Sequence, residues 1–248
     1  MGNTINSFLA ARKCEIRQKQ IQELSMICKK KSNLHLIKYW GASNKIHADI
    51  YDHLAIQKIF NFLETVKNEY KVEVNLTVIF ADTHALLNGY KAADFVPYFN
   101  EIKRLLEKQG CQFLMMSDVL SEELLKDQIN SPWEFVENII LDTQIDDTHF
   151  KQGDSFEVLK NSALKHSYRL THKSEYGSLG FQSKEQSVYA YIKLNLFEKK
   201  QIENKFKESI FLTYSSNEEG ELICPNFLKL QIYTYQSGIR SRPWFMKN

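Results

Sequence analysis

The 248-residue chain is poor in residues that punctuate a backbone: it has nine glycines and four prolines. Long flexible linkers are therefore not expected. Its four cysteines, Cys14, Cys28, Cys111 and Cys224, lie far apart and form no C-x-x-C pair. They read as reduced thiols in a reducing, cytoplasmic compartment, with neither a disulfide framework nor a zinc site. No apolar run approaches the ~18 residues of a membrane span, so no membrane association is expected. The apolar patch Phe8-Leu9-Ala10-Ala11 is short and Arg12-Lys13 follows it, so no signal peptide is expected. An excess of one charge is missing too. Lys plus Arg number 32 against 30 Asp plus Glu, for a net charge of +2, which neither demands nor excludes nucleic acid. The glycine-rich dinucleotide fingerprint, the P-loop, the G-x-S-x-G elbow and the H-E-x-x-H pair are all absent. His47 and His53, like His166 and His172, are six residues apart. That spacing does not put two imidazoles on one helical face, so no metal pair is expected.

What is present is a 43% hydrophobic composition, enough for one sizeable core. Residues 1–33 read as a polar, basic helical extension ending in Lys29-Lys30-Lys31, and 34–248 as the catalytic domain. Leu34–Trp40 reads as a first strand, broken by Gly41-Ala42-Ser43-Asn44. Asp49 or Asp52 can cap the next helix, whose Ile56, Ile59, Phe60, Leu63, Val66 and Tyr70 recur at helical spacing. Val72–Phe80 alternates as a second strand and runs into a loop, Ala81-Asp82-Thr83-His84. A third helix, capped by Asp94, ends at Gly110, and Cys111–Met116 is a third strand. Helices are expected across 121–150, 155–170 and 184–206, and late strands at 210–214 and 230–235. Strands and helices alternating through short connections predict a Rossmann-like α/β fold, with a mainly parallel sheet and helices on both faces. The direction of the last strand stays open.

In such sheets ligands sit outside the carboxyl ends of the strands. Three polar clusters fall there: Lys38, Ser43, Asn44, Lys45 and His47 after strand one; Asp82, Thr83, His84 and Asn88 after strand two; Ser117 and Asp118 after strand three. Asp82 follows the buried run Val78-Ile79-Phe80 directly, so its carboxylate must be hydrogen-bonded or paired. It is either a cap or an anchor for a substrate amine or hydroxyl. His84 has the unperturbed pKa of a proton carrier near neutrality. Lys38, inside an apolar strand, faces either solvent or an anion in the crevice, because burying its ammonium is costly. Arg240 and Arg242 join the same crevice only if the last strand runs parallel to the first.

Lys38, Lys45, Asp49 and Asp52, the helix to Tyr70, the strand ending at Asp82, and Asp94-Tyr98-Leu105 together resemble the isocyanide synthases. The likeness spans roughly the first half of the chain. It implies a Rossmann-like fold and conversion of an amino acid's amino group to an isocyanide. Ribulose 5-phosphate would supply the carbon, and no metal or other cofactor would be needed. The family's glycine and arginine after the aspartate are replaced here by Thr83 and His84. Val78–His84 also resembles the strand end of the cyclodipeptide synthases, which join two amino acids delivered on transfer RNA. There a tyrosine and a glutamate one helical turn apart handle the aminoacyl group. Here Asn195 stands at that spacing from Tyr191, with Glu198 two turns on, and the serine nucleophile could only be Ser43. These resemblances imply Asp82, Thr83, His84, Tyr191 and Glu198 as catalytic candidates. Lys38, Ser43, Asn44, Lys45, Asn88, Ser117, Arg240 and Arg242 are candidates for binding an amino acid and a phosphate- or carboxylate-bearing co-substrate. A catalytically inactive Rossmann-like binding module is the remaining alternative.

Overall fold

A computed structural model describes residues 4–9, 14–41, 45–87, 90–120, 134, 184–213 and 228–231. Two helices, α1 (Ile5–Phe8) and α2 (Cys14–Lys30), precede β1 (Asn33–Trp40). Then come α3 (Ile50–Tyr70), β2 (Glu73–Phe80), α4 (Asp82–Leu87), α5 (Ala92–Glu107) and β3 (Gln112–Met115). The long helix Lys184–Lys205, here α6, leads to β4 (Ile210–Thr213) and β5 (Leu228–Gln231).

The five strands form one sheet in the order β3-β2-β1-β4-β5, and every pairing is parallel. The fold is therefore α/β and Rossmann-like. The sheet grows outward from β1 in both directions, so the strand order reverses between β1 and β4. In doubly wound sheets the carboxyl ends at such a reversal border the ligand crevice. Of the expected late strand at 230–235, residues 230 and 231 are described and belong to β5 (Leu228–Gln231), while 232–235 lie outside the described residues; β5 runs parallel to β4.

Alternation along β1 divides the molecule into two layers. Leu34, Leu36 and Trp40 face the larger core with α1, α2, α3 and α5. Ile37 and Tyr39 face a second core built with α6 and residues 116–120. The helix α3 owes its start to a capping box. Asp49 accepts from the backbone of Tyr51 and Asp52, while the Asp52 side chain reaches back to the Asp49 N–H. Its buried stripe, Ala55, Ile56, Ile59, Phe62, Leu63 and Val66, seals one face of the sheet. Burying each large apolar side chain there contributes about 1.5–3 kcal/mol. The basic N-terminal stretch is two helices rather than one. Leu24 and Cys28 of α2 enter the main core, and α2 packs against α1, α3 and β5.

Two local expectations change. Asp94 does not cap α5, which begins at Ala92 after Lys91. Ala92 and Ala93 favour the helix, and Asp94 in its first turn suits the dipole. The stretch 82–87 is a short helix rather than a loop, with Asp82, Thr83, His84, Ala85 and Leu87 all buried. Beyond α5 the chain turns into β3 through Gly110 at φ +73°, a left-handed conformation that glycine adopts without penalty. Among the described residues no helix is long and apolar enough to cross a membrane.

Candidate functional site

The carboxyl ends of β1, β2 and β3 deliver polar side chains toward α6. Tyr39 is the penultimate residue of β1 and, by alternation, faces α6. Asp82, Thr83 and His84 open α4 directly after β2. Two turns of α6 put Tyr191 and Glu198 on one side of that helix, where both meet His84.

Glu198 is the centre of the cluster and has 0% exposure. One carboxylate oxygen accepts from the Thr83 hydroxyl. The other accepts from the Tyr39 hydroxyl and lies 2.8 Å from His84 Nδ1. The Tyr39 oxygen is 3.2 Å from the same Nδ1, and the Tyr191 ring meets the imidazole edge-on, 5.0 Å between centroids. Lys199, also buried, sets its ammonium 3.2 Å from the centre of the Tyr39 ring and 5.0 Å from that of Phe211. Burial by itself would raise the Glu198 pKa, but His84, Lys199 and the Thr83 hydrogen bond outweigh it and hold the carboxyl below its ordinary range. Burial and the charge of Glu198 drive the Tyr39 phenol well above its ordinary value, so Tyr39 is a neutral donor at physiological pH. A carboxylate on Nδ1 fixes the histidine tautomer and leaves Nε2 as the basic nitrogen.

Asp82 lies at the lip of this cluster. One oxygen accepts from the Ser117 backbone N–H at 3.0 Å and the other from the Ser117 hydroxyl, tying the end of β2 to the end of β3. Burial raises the Asp82 pKa above its ordinary value, the Ser117 bonds oppose that, and the charge of Glu198 adds to it. Neighbouring acids whose environments push their pKa values apart are the usual arrangement for acid and base roles.

The two expected lysines do not join this cluster. Lys38 is 1% exposed and lies on the β1 face shared with Leu36 and Trp40, opposite Tyr39; its ammonium donates to the Leu212 carbonyl at 3.3 Å. Lys45 lies 2.8 Å from both Asp49 and Asp52. Asp52 in turn accepts from the Tyr98 hydroxyl, 3.0 Å, and that hydroxyl accepts from the Trp40 indole, 3.0 Å. Together they form a buried polar chain under the β1–α3 connection. Glu101 secures the same connection from outside, accepting from the Ala48 N–H and contacting His47, each at 2.7 Å. Ser43, Asn44, Asn88, Arg240 and Arg242 lie outside the described residues.

Sequence reasoning missed Tyr39 and Lys199. Tyr39 looks like one more large residue of an apolar strand, and Glu198-Lys199-Lys200 like a solvated helix face. A tyrosine one step from the end of a parallel strand was the only available signal. Among the described residues no group of three or more His, Cys, Asp or Glu could hold a metal ion. The thiols of Cys28 and Cys111 are pushed up to about 11 by burial and are poor nucleophiles.

The fold is shared with the PvcA protein from Pseudomonas aeruginosa. Its crystal structure superposes with a TM-score of 0.59 at 11% identity, over 91% of this chain and 79% of PvcA. The tyrosyl-tRNA synthetase from Archaeoglobus fulgidus, solved with L-tyrosine, is more distant, with a TM-score of 0.46 and 13% identity over 93% of this chain and 62% of the synthetase. No protein-family profile and no curated protein sequence matches the chain.

Proposed function

We propose that this chain is a biosynthetic enzyme that acts on an amino acid in the manner of an isocyanide synthase, with a sugar phosphate as carbon source. The observation that carries the reading is the buried Glu198–His84 pair, flanked by Tyr39 and Thr83 at the carboxyl ends of β1 and β2. Enclosing an ionised carboxylate costs free energy that an apolar core would not, and a pair that orients an imidazole is the standard means of moving a proton. In this reading His84 takes a proton from the substrate's amino group through Nε2. Glu198 holds the tautomer and stabilises the imidazolium that forms. Asp82 receives the amine, since a carboxylate offers about four acceptor sites and Ser117 occupies only part of them.

A second reading has its own support. Tyr191 and Glu198 converge on His84 from one side of α6, which suits a cyclodipeptide synthase using that tyrosine and glutamate on an aminoacyl group. The near balance of acidic and basic residues supports free amino acid over aminoacyl-transfer RNA, whose phosphates need a basic footprint. The experiment incubates purified protein with free amino acids plus ribulose 5-phosphate, and separately with aminoacyl-transfer RNA. An isocyanide in the first tube supports the leading reading. A cyclic dipeptide in the second, lost on ribonuclease treatment, overturns it. Silence in both favours a Rossmann-like binding module.

A further inference from the structure

The amino half of the sheet, at the opposite end from the candidate site, carries a second polar series. His35 lies there half-buried, on the same face of β1 as Ile37 and Tyr39. Its Nδ1 is 2.9 Å from the hydroxyl of Ser209, just ahead of β4. Its Nε2 is 2.8 Å from the hydroxyl of Thr77 on β2, and Thr77 donates to the Gln112 carbonyl oxygen on β3 at 3.3 Å. The Phe206 ring, just past the end of α6, packs on the imidazole, 5.6 Å between centroids. Ser209 and Thr77 are buried.

The order of donors decides the form of the ring. A hydroxyl has one hydrogen to give. Thr77 gives its hydrogen to Gln112 and so accepts from Nε2–H. Nδ1 is then the acceptor, and Ser209 donates to it. A proton added at Nδ1 makes it a donor, and Ser209 must turn its hydrogen away from the ring. That buried hydroxyl has no other hydrogen bond among the described residues. Burial also lowers the His35 pKa below its ordinary 6.5. The charged groups on the elements around the ring are Glu73 of β2, paired with Lys67 at 3.1 Å, Lys31 after α2, paired with Glu208 at 2.7 Å, and Glu203, Lys205 and Lys207 at the end of α6. None of them bonds to the imidazole, whose two nitrogens both meet hydroxyls.

Ser209 is a sensitive place for such a bond. Glu208 before it holds φ +64°, a conformation that a non-glycine residue keeps only when its surroundings impose it. The Lys31–Glu208 pair is largely exposed and contributes little, which leaves the His35–Ser209 bond as a buried tie between this turn and the sheet. We propose that His35 is a pH-sensitive latch on the α6–β4 turn: neutral, it ties Ser209 to β1 and β2; protonated, it breaks the series and lets the turn and the start of β4 open. With the folded pKa depressed, the stabilisation is complete above the ordinary value and is lost as pH falls through the folded one. Because α6 ends at this turn, opening frees the end of the helix that carries Glu198.

The test is hydrogen exchange by NMR, expressed as protection factors, at about pH 7.5 and about pH 5, a range that spans imidazole titration. Protection of the β4 amides, residues 210–213, should fall in acid while that of Val78 and Ile79 in β2 holds. The fall should approach tenfold for each pH unit by which the His35 midpoint lies below 6.5, with the contact to the Phe206 ring identifying the resonance. His35→Gln keeps a donor and an acceptor but does not titrate, so its β4 protection should be the same at both pH values. Unchanged β4 protection in the wild type overturns the latch. A His35→Gln protein that loses protection in acid as the wild type does overturns it too, since another group then titrates. If His35→Gln does not fold, the wild type decides alone: a loss of β4 protection that does not track the His35 midpoint sinks the proposal. The exchange needs no substrate, so its outcome and that of the activity assays are independent.

Discussion

Replacing Glu198 by Gln keeps the shape of the side chain and removes its charge. The carboxylate has no solvent exposure and is contacted by Thr83, Tyr39 and His84. An amide has one acceptor oxygen, so its NH2 group must turn toward at least one of these three partners. Removing one member of a buried charge pair costs about 3–5 kcal/mol. At about 2–4 °C per kcal/mol for a chain of this size, Glu198→Gln should melt roughly 6–20 °C below the wild type at pH 7. The loss must also depend on pH. Interactions with His84, Lys199 and Thr83 hold the folded carboxyl below its ordinary value of 4.5, so its stabilisation is complete above that value and is lost as pH falls through the folded pKa. The gap between the two proteins should therefore close on acidification. Activity at pH 7 should fall roughly 10³–10⁴-fold, the scale on which an imidazole loses its orienting carboxylate in a catalytic triad. Differential scanning calorimetry at neutral and acidic pH, with the product assay alongside, measures all three. A variant that melts with the wild type at pH 7, or a gap that persists undiminished in acid, would refute the assignment of Glu198 as the ionised centre.

Asp82→Ala leaves the Ser117 N–H and hydroxyl without their acceptor and should cost about 0.5–2 kcal/mol, as the loss of a cap does, read by chemical denaturation. Asp82→Asn, which keeps an acceptor, should fold with nearly native stability and lose activity; if it unfolds instead, Asp82 is a structural cap. The raised Asp82 pKa carries the opposite sign to that of Glu198. Its contribution favours the fold below the ordinary carboxyl value and fades as pH rises through the folded one, so Asp82→Asn should compare best with the wild type at neutral pH. Tyr98→Phe strips the hydroxyl that joins Trp40 to Asp52 and should cost about 1–3 kcal/mol in thermal unfolding. Lys45→Ala should leave the thermal shift produced by ribulose 5-phosphate unchanged if Asp49 and Asp52 fully occupy its ammonium; loss of that shift would return Lys45 to the anion site.

The architecture was largely legible because its signals are local. The apolar alternation of Val72–Phe80, the helical stripe of α3 and the Asp49–Asp52 box depend on residues close in sequence, and short crossovers then favour parallel pairing. The expectation of a site at the carboxyl ends of the strands follows from that topology, and Asp82, Thr83 and His84 stand out as candidates because they come directly after a buried strand. The start of α5 and the helical form of 82–87 were less legible, since weak propensities decide them and packing can override these.

What the sequence by itself determined was the order and kind of the elements, and through them which end of the sheet would carry polar groups. Tertiary structure alone decided which of those groups meet. Alternation along β1 sends Tyr39 toward α6 and Lys38 to the opposite face, a difference of one residue in the sequence. Glu198 and Lys199, ordinary charged residues of a helix when read in line, are enclosed because α6 lies across the ends of β1 and β2. Burial of a charge depends on what covers it, and Tyr39, Thr83 and His84, which enclose Glu198, come from more than a hundred residues away.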